Sequence, residues 1–475
     1  LEFRRVLFRS DKYRQIEYYY DNDLEFVDKI NEITNLKASM TFSGKLDNNY
    51  PAMYACQYQI ADINLGKVTG FACDLLNHNN ELVKLKAKAE LLERLTIYMP
   101  IDSAKGFNFS PEIFAEKFND KKVNIVSVLN SKKLKINIKD IYLRIVREIH
   151  DDASLNKNII TSKKEMQVTS NGCAGHFDFN KALVAAWLEC IQRDGFLMYW
   201  LNTISPKSID IEGYLEKVKN NKDTEKLRNL ISGFKKYKIE YCLLDITSDI
   251  DVPNVLCVVW TYDGEGNRRI TLGASTNFNP LAAIESAILE AIATLCTRHN
   301  DMDFSMDDFK NYIPFTDTNI EKEARVKFYF NKNVSKYIDF LIANKISSGI
   351  EKSSSHKEVS ISVEDWASVS GAMGRRGFDQ KRLVVDTKHQ LAYLKSLFKE
   401  KMEQNPEYNV YLYEYNNKII KHFDFKVVRV ICPALYSLYL NENYADPNHP
   451  RLKEFITNKG LESEAKLNIW PHPFP

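Results

Sequence analysis

The segment from Asn180 to Trp200 limits the architecture of this chain more than any other. Ala182 to Leu188 run without a polar break, so the helix predicted over this length is apolar on most of its sides. Such a helix has to be buried, and the rest of the chain must supply layers around it. Asn279–His299 predicts a second long helix, entered at Asn279-Pro280 with the proline in the first turn. A third covers 81–98, where Leu82, Leu85, Ala89, Leu92 and Ile97 fall near one stripe with Lys and Glu between. Strand-like runs interleave with these helices: Pro51–Ile60, Val123–Val128, Leu134–Ile138, Cys242–Asp245, Val255–Trp260, Tyr411–Tyr415 and Val427–Ile431. Turns are expected at Tyr262–Asn267 and at Asn416-Asn417, and a mobile loop around Ser353–Ser355. This pattern predicts an α+β or mixed α/β fold in which long helices pack on mixed β-sheets.

Composition narrows the chemistry by exclusion. The 475 residues carry 65 basic and 63 acidic side chains, a net charge of +2, which gives no global electrostatic case for nucleic acid or an anionic membrane. The eight cysteines are scattered singly, without a C-x-x-C pair, and are expected to be buried reduced thiols. The nine histidines are dispersed as well, so no protein-only transition-metal site is expected. No apolar run was found near the ~20 residues of a membrane span, and no secretory signal stands at the start, which makes a cytoplasmic protein the expectation. Leu1–Ser10 has no initiator Met and looks like translated vector or adapter sequence, a non-native leader. Residues 11–64 then form an N-terminal part, and 65–475 the main domain, closing in a Pro-rich tail over 471–475.

Three acid-bearing helices stand out. No P-loop, Rossmann glycine turn or nucleophile elbow occurs, so a bound nucleotide would have to be held in another way. Glu90, Glu93 and Arg94 lie at i, i+3 and i+4 of the helix predicted over 81–98, on one face. Two carboxylates and a guanidinium suit a Mg²⁺–phosphate complex; an ordinary surface ion pair has the same spacing. Glu189 and Arg193 repeat the i, i+4 spacing on the apolar helix, downstream of Ser170-Asn171-Gly172. Charge on such a helix is costly unless paired or bound to a ligand. Glu285 and Glu290 lie on the helix predicted over Asn279–His299, where a lone acid usually marks a solvated face.

Taken together these segments resemble the YcaO superfamily of ATP-utilising enzymes, from about Leu65 to Pro475. Its first motif is matched by Lys86, Glu90, Glu93 and Arg94, its second by Ser170, Asn171, Gly172, Glu189, Arg193 and Asp194, and its third by Glu290 and Ala291. The chain departs from the pattern at Gln192, where the family usually has Glu, at Lys181, where relatives often carry an acid, and at Ala293 in place of Gln. The resemblance implies a YcaO-type ATP-binding fold with ATP and Mg²⁺ as cofactors. Glu90, Glu93, Glu189 and Glu290 would hold the metal, and Lys86, Arg94, Ser170, Asn171 and Arg193 the nucleotide.

Val427–Pro433, His449–Leu452 and the ending Pro471-His-Pro473-Phe-Pro475 are similar to the azoline-forming branch, whose members end in a Pro-x-Pro-x-Pro tail. That branch implies a cyclodehydratase component which converts Cys, Ser or Thr of a ribosomal precursor peptide to thiazoline or oxazoline, as in bacteriocin maturation. Pro471, Pro473 and Pro475 would shape the catalytic site. An E1-like, leader-binding partner would supply peptide recognition, and a flavin dehydrogenase and a homodimer are compatible with this reading. Thioamide or amidine formation by the same fold, and a catalytically weakened nucleotide-binding scaffold, stay open as alternatives. Deleting the tail is expected to cripple ring formation far more than ATP binding, with little change in stability.

Overall fold

A computed structural model of the chain describes residues 23–34, 36–46, 50–51, 53–62, 66–76, 80–98, 121–141, 169–219, 222–264, 266–298, 312–316, 322–331, 334–346, 360–369 and 379–474. Leu1–Ser10, Ser353–Ser355 and Pro475 lie outside these. The chain forms two compact units. One draws on Leu1–Asn48, Ala52–Cys190 and Leu394–Ala434, the other on Asn49–Pro51, Ile191–Tyr393 and Leu435–Pro475.

The first unit contains α1 (Asp23–Thr34) and an antiparallel sheet of β1 (Ala38–Lys45), β2 (Met53–Asp62) and β3 (Gly66–Leu75), in that order. The 19-residue helix α2 (Asn80–Tyr98) packs on β3 and β2. Val83, Leu91, Leu92 and Leu95 supply its apolar contacts, and Lys88 is buried as well. The Lys88 ammonium meets Asp23 of α1 at 2.8 Å and lies over the rings of Phe26 and Tyr58, so burial of the charge is offset by a carboxylate and two π faces. A second sheet joins β4 (Lys122–Ser127), β5 (Lys133–Asn137), β6 (Cys173–His176), β12 (Tyr411–Glu414) and β13 (Lys426–Ile431) in the order β5-β4-β12-β13-β6. Strand β13 is therefore central, which suits its Val-Val-x-Val-Ile composition. Between β12 and β13 the sequence predicts a turn at Asn416-Asn417. Instead the Asn417 side chain accepts the Ile420 N–H and caps a short helix, Lys418–His422.

Helix α3 (Phe179–Leu201) starts at Asp178, whose carboxylate accepts the Lys181 N–H at 3.0 Å. The helix passes from the residues of the first unit into those of the second at Ile191.

The second unit has a five-stranded sheet of β7 (Lys207–Asp210), β8 (Glu240–Asp245), β9 (Asn254–Tyr262), β10 (Arg268–Thr276) and β11 (Ser360–Ser362), ordered β10-β9-β8-β7-β11. The hairpin turn between β9 and β10 falls where the sequence predicts it. Helices α4 (Ile211–Lys217), α5 (Lys222–Tyr237) and α6 (Pro280–Arg298) belong to this unit. The window Pro280–Thr297 of α6 is long and apolar enough by composition to cross a membrane, with mean hydropathy 1.4, but 67% of it is buried and it packs on β10 and β9 as a core helix does. Glu285 corrects the expectation of a solvated face. It is buried and paired at 2.9 Å with the equally buried Lys226 of α5.

The two units share a local device. Each has three successive antiparallel strands, β1-β2-β3 or β8-β9-β10, and then a 19-residue helix on the last two. In both, a glycine lets helix and strand approach closely. A Cβ on Gly70 would lie 2.0 Å from Ala87 O and 2.4 Å from Leu91 N. One on Gly273 would lie 2.4 Å from both Ala287 O and Ala291 N. No other residue type fits either place without moving the backbone. All eight cysteines are free and buried, as the sequence predicts.

Candidate functional site: anchored carboxylates and a docked tail

In the first unit, the residue after Gly70 fixes Glu90. The Phe71 N–H donates to Glu90 Oε2 at 3.0 Å, while Glu90 Oε1 lies 2.6 Å from Arg94 Nη2, one turn along α2. Glu93, on the same helix face, accepts the Gly175 N–H from β6 at 2.9 Å. Loss of solvent around the Glu93 carboxylate, and then the charges of Glu189 and Glu90, push it up to about 8; Arg94 and the Gly175 N–H act in the opposite direction. Glu90, Glu93, Arg94 and Glu189, chosen from sequence spacing, thus interact electrostatically in one unit. Lys86 is placed differently, with its ammonium 3.9 Å from the buried Asp74 carboxylate.

The Ser-Asn-Gly segment is held through its backbone. The Arg429 guanidinium, on central strand β13, donates to Thr169 O at 2.7 Å, to Asn171 O at 3.5 Å and to the Tyr415 hydroxyl at 3.1 Å. Val430 N–H donates to Gly172 O at 2.7 Å. With the carbonyls of Thr169, Asn171 and Gly172 engaged, the loop carrying Ser170 and Asn171 is tied to β13. Sequence reasoning missed Arg429. The signal was a single charge inside Val427–Ile431, which a central strand tolerates only when the charge has partners.

In the second unit, the Ala274 N–H donates to Glu290 Oε2 at 2.9 Å, repeating the Phe71–Glu90 arrangement. Ala293, which replaces the family's Gln, is buried, as is Gln192. Asp194 is wholly buried and structural: it receives the Tyr436 N–H at 2.9 Å and the Arg451 guanidinium at 2.8–3.1 Å, with Asp249 on the same guanidinium at 2.6 Å. Arg193 is half-buried, and its guanidinium lies over the Phe474 ring, 4.3 Å from the centroid.

The proline tail is docked. Trp470 stacks on Tyr337 at 3.9 Å, and its carbonyl accepts from Trp200 Nε1 at 3.2 Å. The Tyr329 hydroxyl donates to Pro471 O at 2.5 Å, and His472 Nε2 lies 2.6 Å from Tyr439 O. Pro471, His472, Pro473 and Phe474 are all buried. Proline has no N–H, so alternate prolines let an extended segment be buried with few donors to satisfy.

Glu90 and Glu93 act on the Arg94 guanidinium, and the charge of Glu189 reaches Glu93, which is held far from its ordinary titration range. That excess of negative potential fits a divalent cation. Among the described residues, no group of three or more His, Cys, Asp or Glu side chains forms a ready-made metal cage. Mg²⁺ characteristically takes one or two carboxylates and completes its shell with water and phosphate oxygens, so these residues fit a metal that binds together with a nucleotide.

A family model described as YcaO cyclodehydratase, ATP- and Mg²⁺-binding, matches residues 157–436, more than half of the chain. The chain belongs to the YcaO family. ATP and Mg²⁺ are the cofactors of that family, in agreement with the sequence reading. The matched span includes the Ser-Asn-Gly loop, α3, α6 and β13, and leaves α2 and the tail outside. Comparison with curated proteins gives no match. Among solved structures, a heterocyclase in complex with substrate and cofactor is 13% identical, with a TM-score of 0.59. All of this chain (100%) aligns with 60% of that one, so the YcaO chain spans less than two thirds of its length. YcaO from Methanopyrus kandleri bound with AMPPCP and Mg²⁺ is 12% identical over 92% of each chain, with a TM-score of 0.53. At these identities the likeness establishes the α+β YcaO fold.

Proposed function

We propose that this YcaO enzyme is the ATP- and Mg²⁺-dependent cyclodehydratase component of a system that installs azolines in a ribosomal precursor peptide. The observation that carries the reading is the Glu90–Glu93–Glu189 carboxylate group beside Arg94, with Glu90 and Glu93 held by backbone N–H donors. Glu90, Glu93 and Glu189 hold Mg²⁺, and Glu290 is assigned to the metal from its motif. Arg94 and Arg193 bind and orient phosphate oxygens, where a planar fork of donors suits the geometry. Ser170 and Asn171 contact the nucleotide from the loop that Arg429 ties down, and Lys86 is assigned to ATP from its motif alone. The region 65–475 acts as one YcaO domain, with the proline tail bordering the reacting amide.

In the reaction, a Cys, Ser or Thr side chain adds to the preceding amide carbonyl carbon, and its proton is lost. ATP supplies the phosphoryl group that makes the former carbonyl oxygen a leaving group. The C–O bond then breaks as the nitrogen lone pair forms C=N and the N–H proton departs, so azoline, ADP and phosphate result. The protein's part is positioning and charge stabilisation, as in phosphoryl transfer generally. A separate leader-binding partner of the E1-like type presents the peptide; the heterocyclase of similar fold was solved with its substrate. The test is mass spectrometry of a Cys/Ser/Thr-rich precursor peptide incubated with the protein, partner and Mg²⁺-ATP. Loss of one water per ring, with matching ADP release, is expected. Exchange of oxygen for sulfur would transfer the protein to thioamide chemistry, and no ATP turnover under any partner would make it a nucleotide-binding scaffold.

A further inference from the structure

The tail and Arg193 meet in a way that the azoline reading does not require. Phe474 is fully buried, and its ring packs between two residues of α3 one turn apart, Arg193 at 4.3 Å and Phe196 at 4.8 Å. Its place is fixed by the anchors before it. Trp470 stacks on Tyr337, Pro471 O takes the Tyr329 hydroxyl, and the His472 ring bonds Tyr439 O and meets the Phe196 ring edge-on. Side chains 470, 472 and 474 thus engage the second unit at every other position, with Pro471 and Pro473 stiffening the segment between them.

An arginine has a long, flexible stem, and a phosphate-binding arginine gains when its guanidinium is held in one orientation beforehand. A ring contact can do this without using up the binding groups. The π face attracts the flat face of the cation, while the N–H donors lie in the guanidinium plane and point outward along its edge. We propose that Phe474 is a positioning residue for Arg193, through which the C-terminal tail sets the affinity of the enzyme for the polyphosphate of its nucleotide. The inference rests on the assignment of Arg193 to phosphate made above. Damage to the tail should accordingly appear in nucleotide affinity itself, where the sequence alone leads one to expect damage mainly to ring formation.

A double-mutant cycle on the full chain tests this, with Mg²⁺ and a non-hydrolysable ATP analogue titrated calorimetrically. Phe474→Leu should weaken binding by about two- to thirty-fold, the span of ring–cation contacts. The same substitution in an Arg193→Ala background should cost nothing further. Phe474→Tyr keeps the ring and should rescue affinity. Phe474→pentafluorophenylalanine keeps the shape but reverses the ring's electrostatics, and should weaken binding even if the leucine variant folds poorly. Equal weakening by Phe474→Leu in both backgrounds, or wild-type affinity in the fluorinated protein, would overturn the proposal. If Arg193→Ala alone binds the analogue as wild type does, the failure lies with the assignment of Arg193 to phosphate and removes the proposal with it.

Discussion

Glu93 on α2 and Gly175 on β6 are joined by a 2.9 Å hydrogen bond from the glycine N–H to the carboxylate. The glycine is necessary to this contact. A Cβ at position 175 would lie 2.4 Å from the Phe425 ring and 3.3 Å from the Glu93 Cβ. Gly175→Ala should therefore push β6 and Glu93 apart. We expect a loss of about 1–3 kcal/mol in urea unfolding, the usual cost of overpacking, together with weaker Mg²⁺-ATP binding. Unchanged nucleotide affinity would detach Glu93 from the metal.

The titration of Glu93 gives stability without ligand a definite pH slope. In the unfolded chain the group ionises near 4.5, whereas in the fold it holds its proton up to about 8. Between these values the native state binds more protons than the unfolded state, so this group's contribution to stability falls as pH rises through that window and levels off above it. Urea midpoints for wild type and Glu93→Gln should lie closest at the lower end of the window, where both side chains are neutral, and separate toward the upper end as wild type loses stability and the amide does not ionise. Parallel curves would show that Glu93 titrates normally.

Glu90→Gln retains an oxygen to accept the Phe71 N–H, and Arg94 is partly exposed, with 35% of its side-chain surface in solvent. Each substitution, including Arg94→Ala, should change stability by no more than about 1 kcal/mol. Each should nevertheless abolish ATP turnover. Thermal melting and phosphate release measured on the same preparations check both halves, and turnover at the wild-type rate in either variant would refute the site.

Deletion of the last five residues tests the docked tail. The sequence suggests an ending that leaves the core intact, but Phe474 and His472 are completely buried. Losing one buried aromatic side chain costs about 3–5 kcal/mol, and the truncated protein should unfold at correspondingly lower urea concentration.

Asp194 belongs to the family motif yet contacts Arg451 and the Tyr436 N–H in a site closed to solvent. Asp194→Asn should leave the Arg451 charge poorly matched and destabilise the protein by about 3–5 kcal/mol. Its effect on ATP affinity, measured well below the melting temperature, should be small by comparison.

What could be read in advance follows from the physics of each feature. Helices α2, α3 and α6 were visible because apolar periodicity is local to the chain, and their ends agree within about two residues, the ordinary uncertainty of helix termini. Glu90, Glu93 and Arg94 were visible because helical spacing puts charges on a common face, and Glu189 because it repeats that spacing with Arg193 on an apolar helix. Their anchors were hidden, since the N–H of Phe71 or Gly175 leaves no mark on a sequence. Glu285 was misread for a related reason. Its partner Lys226 sits on another helix, and only the fold brings the two charges together. Phe474 looked like a residue between prolines, and its contact with Arg193 depends on a chain reversal that no local pattern encodes.

The main-chain hold on Glu90 and Glu290 has an evolutionary consequence. Any amino acid except proline can donate the N–H at positions 71 and 274, so the identity of those residues is free to drift while each acid stays where it is. What a descendant must inherit is the bare glycine one step earlier, which keeps helix and strand close enough for the bond to form. Homologues that preserve this feature could lose nearly every surrounding side chain and still hold each carboxylate against its own strand.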